Sequence, residues 1–74
     1  MDEVERLSLE REVLEHLTAV ERLGATLRQL EESLEQFVEP PKELKNQISA
    51  TRGEIRGRMA AIAMGEARLG VDPF

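Results

Sequence analysis

Cysteine is absent from this 74-residue chain, and so are tryptophan and tyrosine. Without cysteine the chain can form no disulfide and offers no cysteine-based zinc site. Its aromatic residues are two phenylalanines, Phe37 and Phe74, which is too few for stacking nucleic-acid bases. A chain this short buries a limited share of its surface by itself. We therefore expect a single small domain, residues 1–74, that gains stability by association.

Long apolar runs are also missing. The longest strongly apolar stretch, Met59 to Met64, is far shorter than the roughly 20 residues of a membrane-spanning helix. The first residues, Met1-Asp2-Glu3, are acidic, whereas a signal peptide begins with a basic region. We expect a protein of the cytoplasm or of a macromolecular particle that is not secreted and has no membrane partner.

Two of the three prolines are adjacent, at Pro40 and Pro41. Each removes a backbone donor and disfavours helical geometry in the residue before it, so Glu39 and Pro40 should leave the helix. This predicts a helix over residues 2–38, a corner at 39–41, a helix over 41–69 and a short tail at 70–74. Asp2 is the expected N-cap, and Gly70 the expected left-handed residue after the second helix.

Apolar residues of the first helix recur at alternating spacings of four and three, which is the a/d pattern of a coiled coil. This seam contains one polar residue, His16, and consists of Leu9, Val13, His16, Val20, Leu23, Leu27, Leu30, Leu34 and Phe37. The predicted seam of the second helix consists of Leu44, Ile48, Thr51, Ile55, Met59, Ile62, Glu66 and Leu69.

Folding the chain at the prolines places Leu34 opposite Ile48, and Val13 opposite Leu69. His16 then meets Glu66, so the only polar residue of the first seam faces the only charged residue of the second. We predict an all-α fold, a coiled-coil-like antiparallel hairpin of two helices. Oligomerisation or docking on a partner should complete it into a bundle.

Small residues occupy every fourth position of the second helix, namely Ser49, Gly53, Gly57, Ala61 and Gly65. A helical glycine costs about 0.5–1 kcal/mol relative to alanine, so three in one row suggest a close helix contact. The hairpin register places Gly24 of the first helix opposite Gly57. We predict close packing at Gly24, Gly53, Gly57, Ala61 and Gly65; the alternative is a weak, mobile second helix.

Further apolar residues lie outside both seams, at the end of the hairpin that carries the termini. We predict that they form an interaction surface, since a large exposed apolar patch usually marks an interface. The alternative is that the C-terminal tail folds back over them. The residues are Val4, Leu7, Leu14, Leu17, Ala60, Ala63, Met64, Ala67, Val71 and Phe74.

The His16–Glu66 pair has two interpretations. With Glu12 and Glu15 it could form a carboxylate–histidine metal site in a bundle, but the Glu-x-x-His spacing of such sites is absent. A polar pair in a helical seam more often sets register. We therefore expect no metal, no cofactor and no catalytic residue, and hence no enzyme.

The two halves of the chain carry different net charges. Residues 1–39 hold 11 acids and 4 arginines, a net charge of −7, whereas residues 40–74 hold 4 acids and 6 bases, a net charge of +2. Lys45, Arg52 and Arg56 share one side of the second helix and could contact phosphates. We do not expect nucleic-acid binding, because the total charge is −5 and aromatic residues are scarce.

The layout resembles that of small plasmid-encoded helical hairpins that dimerise into four-helix bundles and bind RNA. The resemblance is one of architecture, without a shared binding motif. From the residues we expect a non-enzymatic structural or interaction protein whose partner is itself, as a homo-oligomer, or another protein. The alternative is a small acidic regulator that masks a basic site on an enzyme or nucleic-acid-binding protein through Glu21, Glu31, Glu32 and Glu35.

Overall fold

The computed structural model describes residues 2–70, which form two helices, α1 (Glu3–Glu35) and α2 (Lys42–Arg68). The helices pack side by side in opposite directions, and the molecule measures 55 × 18 × 16 Å. This confirms the predicted all-α helical hairpin. No strand occurs within residues 2–70, and no helix there is long and apolar enough to cross a bilayer.

The start of α1 is capped as the sequence predicts. Asp2 has extended backbone geometry, and its carboxylate accepts a 2.7 Å hydrogen bond from the backbone N–H of Glu5. Glu3 and Glu5 add negative charge to the first turn, where the helix dipole favours it. One turn later, Arg6 and Glu10 form an exposed ion pair of 3.5 Å.

The end of α1 comes three residues earlier than predicted, at Glu35. The next two backbone N–H groups donate three residues back, from Gln36 to Ser33 at 3.1 Å and from Phe37 to Leu34 at 3.2 Å. The reason lies in the prolines, because they restrict both Glu39 and Pro40 to extended geometry. The reversal of the chain must therefore begin before Glu39, at residues 36–38.

Pro41 precedes α2 and serves as its N-cap without a side-chain hydrogen bond. Its carbonyl oxygen accepts from the backbone N–H groups of Leu44 and Lys45 at 3.1 and 3.2 Å. At the other end, Arg68 supplies a cation in the last turn and Gly70 adopts a φ of +61°. That left-handed geometry confirms the predicted helix stop, since it disfavours residues with a Cβ.

The side of α2 that faces α1 differs from the predicted seam at two positions. Its buried and half-buried residues include Arg58 and Gly65, whereas the predicted Met59 and Glu66 are exposed. With these two changes the spacings alternate strictly between four and three. A 3.5-residue repeat is what keeps a seam turned towards its partner helix, so it decides the facing residue even where that residue is less apolar than its neighbour.

The core of the hairpin is thin. Among the described residues only Leu9, Val13 and Ile48 are buried apolar side chains, and none has an exposure below 2%. Phe37, predicted to end the first seam, is 47% exposed because α1 has already ended. The accessible surface is 5995 Å², against about 4,600 Å² expected for a compact monomer of this mass.

Candidate interaction surface

Near the termini, the two helices touch at Gly65. A Cβ atom placed on Gly65 would lie 2.6 Å from Cγ2 of Val13 and 4.0 Å from Cδ1 of Leu9. Val13 therefore packs on Gly65, one turn before its predicted partner Leu69. Close helix packing, predicted for the whole row of small residues, is found at this glycine.

The predicted approach of Gly24 to Gly57 is wrong. In the described structure a Cβ atom at Gly24, Gly53 or Gly57 would meet nothing within 4 Å. The reason is geometric: four residues turn an α-helix by about 400°, so a row at every fourth position rotates by about 40° per step. The row crosses the outer side of α2 at Gly53 and Gly57 and reaches the seam only at Ala61, which is half-buried, and Gly65.

The predicted pair of His16 and Glu66 is also not formed. His16 is half-buried, and its Nδ1 lies 3.1 Å from Nη1 of Arg58. A guanidinium has only donors, so Arg58 donates and His16 accepts. Arg58 is also 3.9 Å from Glu54. Glu66 is exposed because the seam position next to it is taken by Gly65.

The sequence analysis did not identify Arg58 as the hydrogen-bond partner of His16. The sequence does contain a signal for Arg58. If the spacings between seam residues of α2 alternate strictly between four and three, the residue after Ile55 is Arg58, whereas choosing the more apolar residue gives Met59. The same part of the chain, residues 2–70, holds no group of three or more His, Cys, Asp or Glu residues arranged to bind a metal ion.

The predicted interaction residues within residues 2–70 are all exposed. The exposed fractions of the large ones, Val4, Leu7, Leu14, Leu17 and Met64, run from 42 to 77%. Ala60, Ala63 and Ala67 are exposed as well. Val71 and Phe74, the remaining predicted members of this surface, lie outside the described residues, and so does the alternative in which the C-terminal tail covers it.

These residues form two stripes instead of the single patch that was predicted. At about 100° per residue, Val4, Leu7 and Leu14 lie roughly 140–160° from the seam of α1. Ala60, Met64 and Ala67 lie roughly 150–170° from the seam of α2 by the same measure. One stripe therefore follows the outer side of α1 and the other the outer side of α2.

A third exposed region lies between these stripes, on one side of the hairpin, and we call it the Arg52 face. Nη2 of Arg52 lies 2.7 Å from Oε2 of Glu31, which links the two helices. The helical repeat places the following residues on this face: Glu10, Leu17, Glu21, Arg28, Glu31 and Glu35 from α1, and Lys45, Arg52, Arg56, Met59, Ala63 and Glu66 from α2.

Two shallow grooves of about 300 and 400 Å³ run along the Arg52 face. Leu27, Ile55 and Met59 contribute apolar lining to the first, and Leu34 and Ile48 to the second. Both grooves also contain basic side chains, namely Arg52 and Arg56 in each and Lys45 in the second. Each groove thus combines an apolar lining with a basic edge.

Comparisons of the chain with protein-family models, with curated proteins and with solved structures found no match.

Proposed function

We propose that this protein is a non-enzymatic assembly module, a helical hairpin that self-associates or docks into a larger assembly through the apolar residues near its termini. The observation that supports this most directly is the contrast at this end between two buried apolar side chains, Leu9 and Val13, and five large exposed ones. The proposed surface consists of Val4, Leu7, Leu14, Leu17, Ala60, Ala63, Met64 and Ala67.

The size of the exposed surface supports the proposal. The hairpin exposes about 1,400 Å² more than a compact monomer of its mass would. A standard specific interface removes about 800 Å² from each partner. Each leucine taken from full exposure to full burial contributes about 1.5–3 kcal/mol, so a few such side chains support a stable contact.

The spacing on α1 supports the same function. Val4, Leu7 and Leu14 are three and seven residues apart, which keeps them in line along the outer side of the helix. A row of this kind fits another helix lying alongside, with the apolar residues as anchors. The acidic-regulator alternative has weaker support, because Glu31 is already engaged with Arg52 within the hairpin.

The test is to place one carboxylate in each stripe, with Leu14→Glu and Met64→Glu as separate variants. Burying an unpaired charge is costly, so we expect association to weaken at least about tenfold while helix content stays high. Analytical ultracentrifugation measures association, and circular dichroism measures helix content.

Gln29→Glu is the matched control, since it adds the same charge on the outer side of α1 but near the corner. It should associate like the unchanged chain. If Leu14→Glu and Met64→Glu both associate and bind partners as the unchanged chain does, the proposed function is wrong.

A further inference from the structure

The Arg52 face carries opposite charge on its two helices. From its middle to its corner end, α1 contributes Glu21, Glu31 and Glu35 against one base, Arg28. On α2 the charged residues of the same stretch are all basic, namely Lys45, Arg52 and Arg56. Of these seven, Arg52 and Glu31 pair with each other, and the other five form no ion pair within residues 2–70. Five charged side chains on this face therefore remain available to another molecule.

Exposed apolar residues continue the Arg52 face towards the termini. Leu17 is 42% exposed and Met59 is 57% exposed, and both stand roughly 70–80° from their seams, on the same side of the hairpin. Ala63, one turn after Met59, is exposed beside them. The half of the face near the corner is therefore charged, whereas the half near the termini combines these apolar side chains with two acidic ones, Glu10 and Glu66.

Two copies can stack on this face about a two-fold axis in two ways. An axis across the helices would set α1 on α1 of the second copy and exchange the two ends, so the acidic residues near the corner would have no basic partner helix opposite them. An axis parallel to the helices sets α1 on α2 of the second copy and keeps every residue at its own level. Electrostatic complementarity favours the parallel axis, since unlike charges then meet and like charges are kept apart.

The parallel axis also matches individual residues. Glu31 already reaches Arg52 within the hairpin, so the same two levels meet across the axis. Leu34 and Ile48 line one groove, which places Glu35 near the level of Lys45. Further along, Leu17 falls on the segment between Met59 and Ala63 of the second copy. Acid thus meets base at one end while apolar side chains meet at the other.

We infer that a second copy of this chain packs on the Arg52 face, with α1 of each hairpin lying across α2 of the other. The inference rests on the proposed function, because it names the partner of the assembly module. The hairpin measures 55 Å by 18 Å along this side, so a stacked copy can cover about 800 Å² on each partner, the size of a standard interface.

The test reverses the charges of the Arg52 face in two variants, one helix in each. The first carries Glu31→Lys and Glu35→Lys, and the second carries Lys45→Glu and Arg52→Glu. Each variant alone should self-associate at least about tenfold more weakly than the unchanged chain, because like charges then meet twice across the axis. An equimolar mixture should recover association to within about threefold, since both contacts of the mixed dimer pair unlike charges.

The mixture separates this inference from a loss of stability within one chain. Both variants break the Glu31–Arg52 pair inside the hairpin, and mixing does not restore that pair. Glu12→Lys with Glu43→Lys is the control for the first variant: it makes the same change in net charge on the opposite side of the hairpin, where Glu12 and Glu43 line other grooves. The control should associate like the unchanged chain.

Two outcomes would overturn the inference. If the mixture associates no better than either variant alone, or if the unchanged chain stays monomeric at millimolar concentration, a second copy does not occupy the Arg52 face. The proposed function is judged separately: if Leu14→Glu abolishes association or partner binding while the charge variants behave as the unchanged chain, the assembly module stands with a different partner surface.

Discussion

At the scale of single residues, the glycines of α2 differ in role although they share one spacing. Gly65 allows contact with Val13, whose Cγ2 leaves no room for a Cβ atom, whereas Gly57 faces open space. Valine is β-branched and stiff, and Val13 is 92% buried, so it cannot simply move aside. Identical residues eight positions apart are thus constrained by packing in one case and not in the other.

We predict opposite effects of Gly65→Ala and Gly57→Ala on the free energy of unfolding. Gly57→Ala should stabilise by about 0.5–1 kcal/mol, because alanine favours the helix and meets no obstacle. Gly65→Ala should destabilise by about 1 kcal/mol, because overpacking outweighs the gain in helix propensity. Urea denaturation of both variants at one protein concentration measures the difference.

The two glycine variants are controls for each other, since both make the same chemical change within the same helix. Should Gly65→Ala stabilise the protein as much as Gly57→Ala does, the close contact between Val13 and Gly65 would not exist in solution.

At the scale of secondary-structure elements, the proline corner sets the register of the hairpin. The loop of six residues from Gln36 to Pro41 joins the helices and brings Leu34 and Ile48 to the same groove. Glu31 and Arg52 bridge the helices about one turn further from the corner. Register near the corner therefore agrees with the sequence, and the disagreement begins beyond Ile55, where Arg58 replaces Met59 in the seam.

Cysteines can report this register directly. We predict that Leu34→Cys with Ile48→Cys forms an intramolecular disulfide under mild oxidation, because the two positions lie across the seam from each other. Leu34→Cys with Ile62→Cys should not, since Ile62 lies about four turns from Ile48 along α2. Mass spectrometry and non-reducing electrophoresis distinguish internal from intermolecular bonds.

Equal yields from the near and distant pairs would contradict the hairpin register. Exclusively intermolecular bonds from the near pair would instead indicate that the helices are exchanged between chains.

At the scale of the whole molecule, the stability of the fold should depend on association. Three buried apolar side chains form a thin core for two helices of 33 and 27 residues. Helices in proteins owe most of their stability to the tertiary packing of an apolar face. The outer stripe of α1 and the Arg52 face offer the further packing that the hairpin lacks by itself.

We therefore predict a melting temperature that depends on protein concentration. A hundredfold increase in concentration should stabilise a self-associating chain by up to about 2.7 kcal/mol, which corresponds to a rise in melting temperature of roughly 10 °C. Thermal unfolding followed by circular dichroism across that range measures the effect. The variant with Glu31→Lys and Glu35→Lys should show a weaker dependence on concentration; a concentration-independent melting temperature of the unchanged chain would argue against self-association.

Features that depend on a few neighbouring residues could be read from the sequence alone. The two helices, the Asp2 cap, the proline corner and the left-handed Gly70 are of this kind, because each follows from the geometry of one turn of chain. The apolar surplus near the termini was also visible in the sequence, since it needs only a count of residues outside the seams.

Only the tertiary structure decided which side of α2 faces α1. The rotation of a helix about its own axis depends on packing along its whole length, so a continuous 3.5-residue repeat prevails over the apolarity of one residue. For this reason Arg58 and Gly65 lie in the seam, His16 bonds to Arg58, and Glu66 remains exposed. Likewise, α1 ends at Glu35 because the chain must reverse before the two prolines. No single residue of the helix specifies this end.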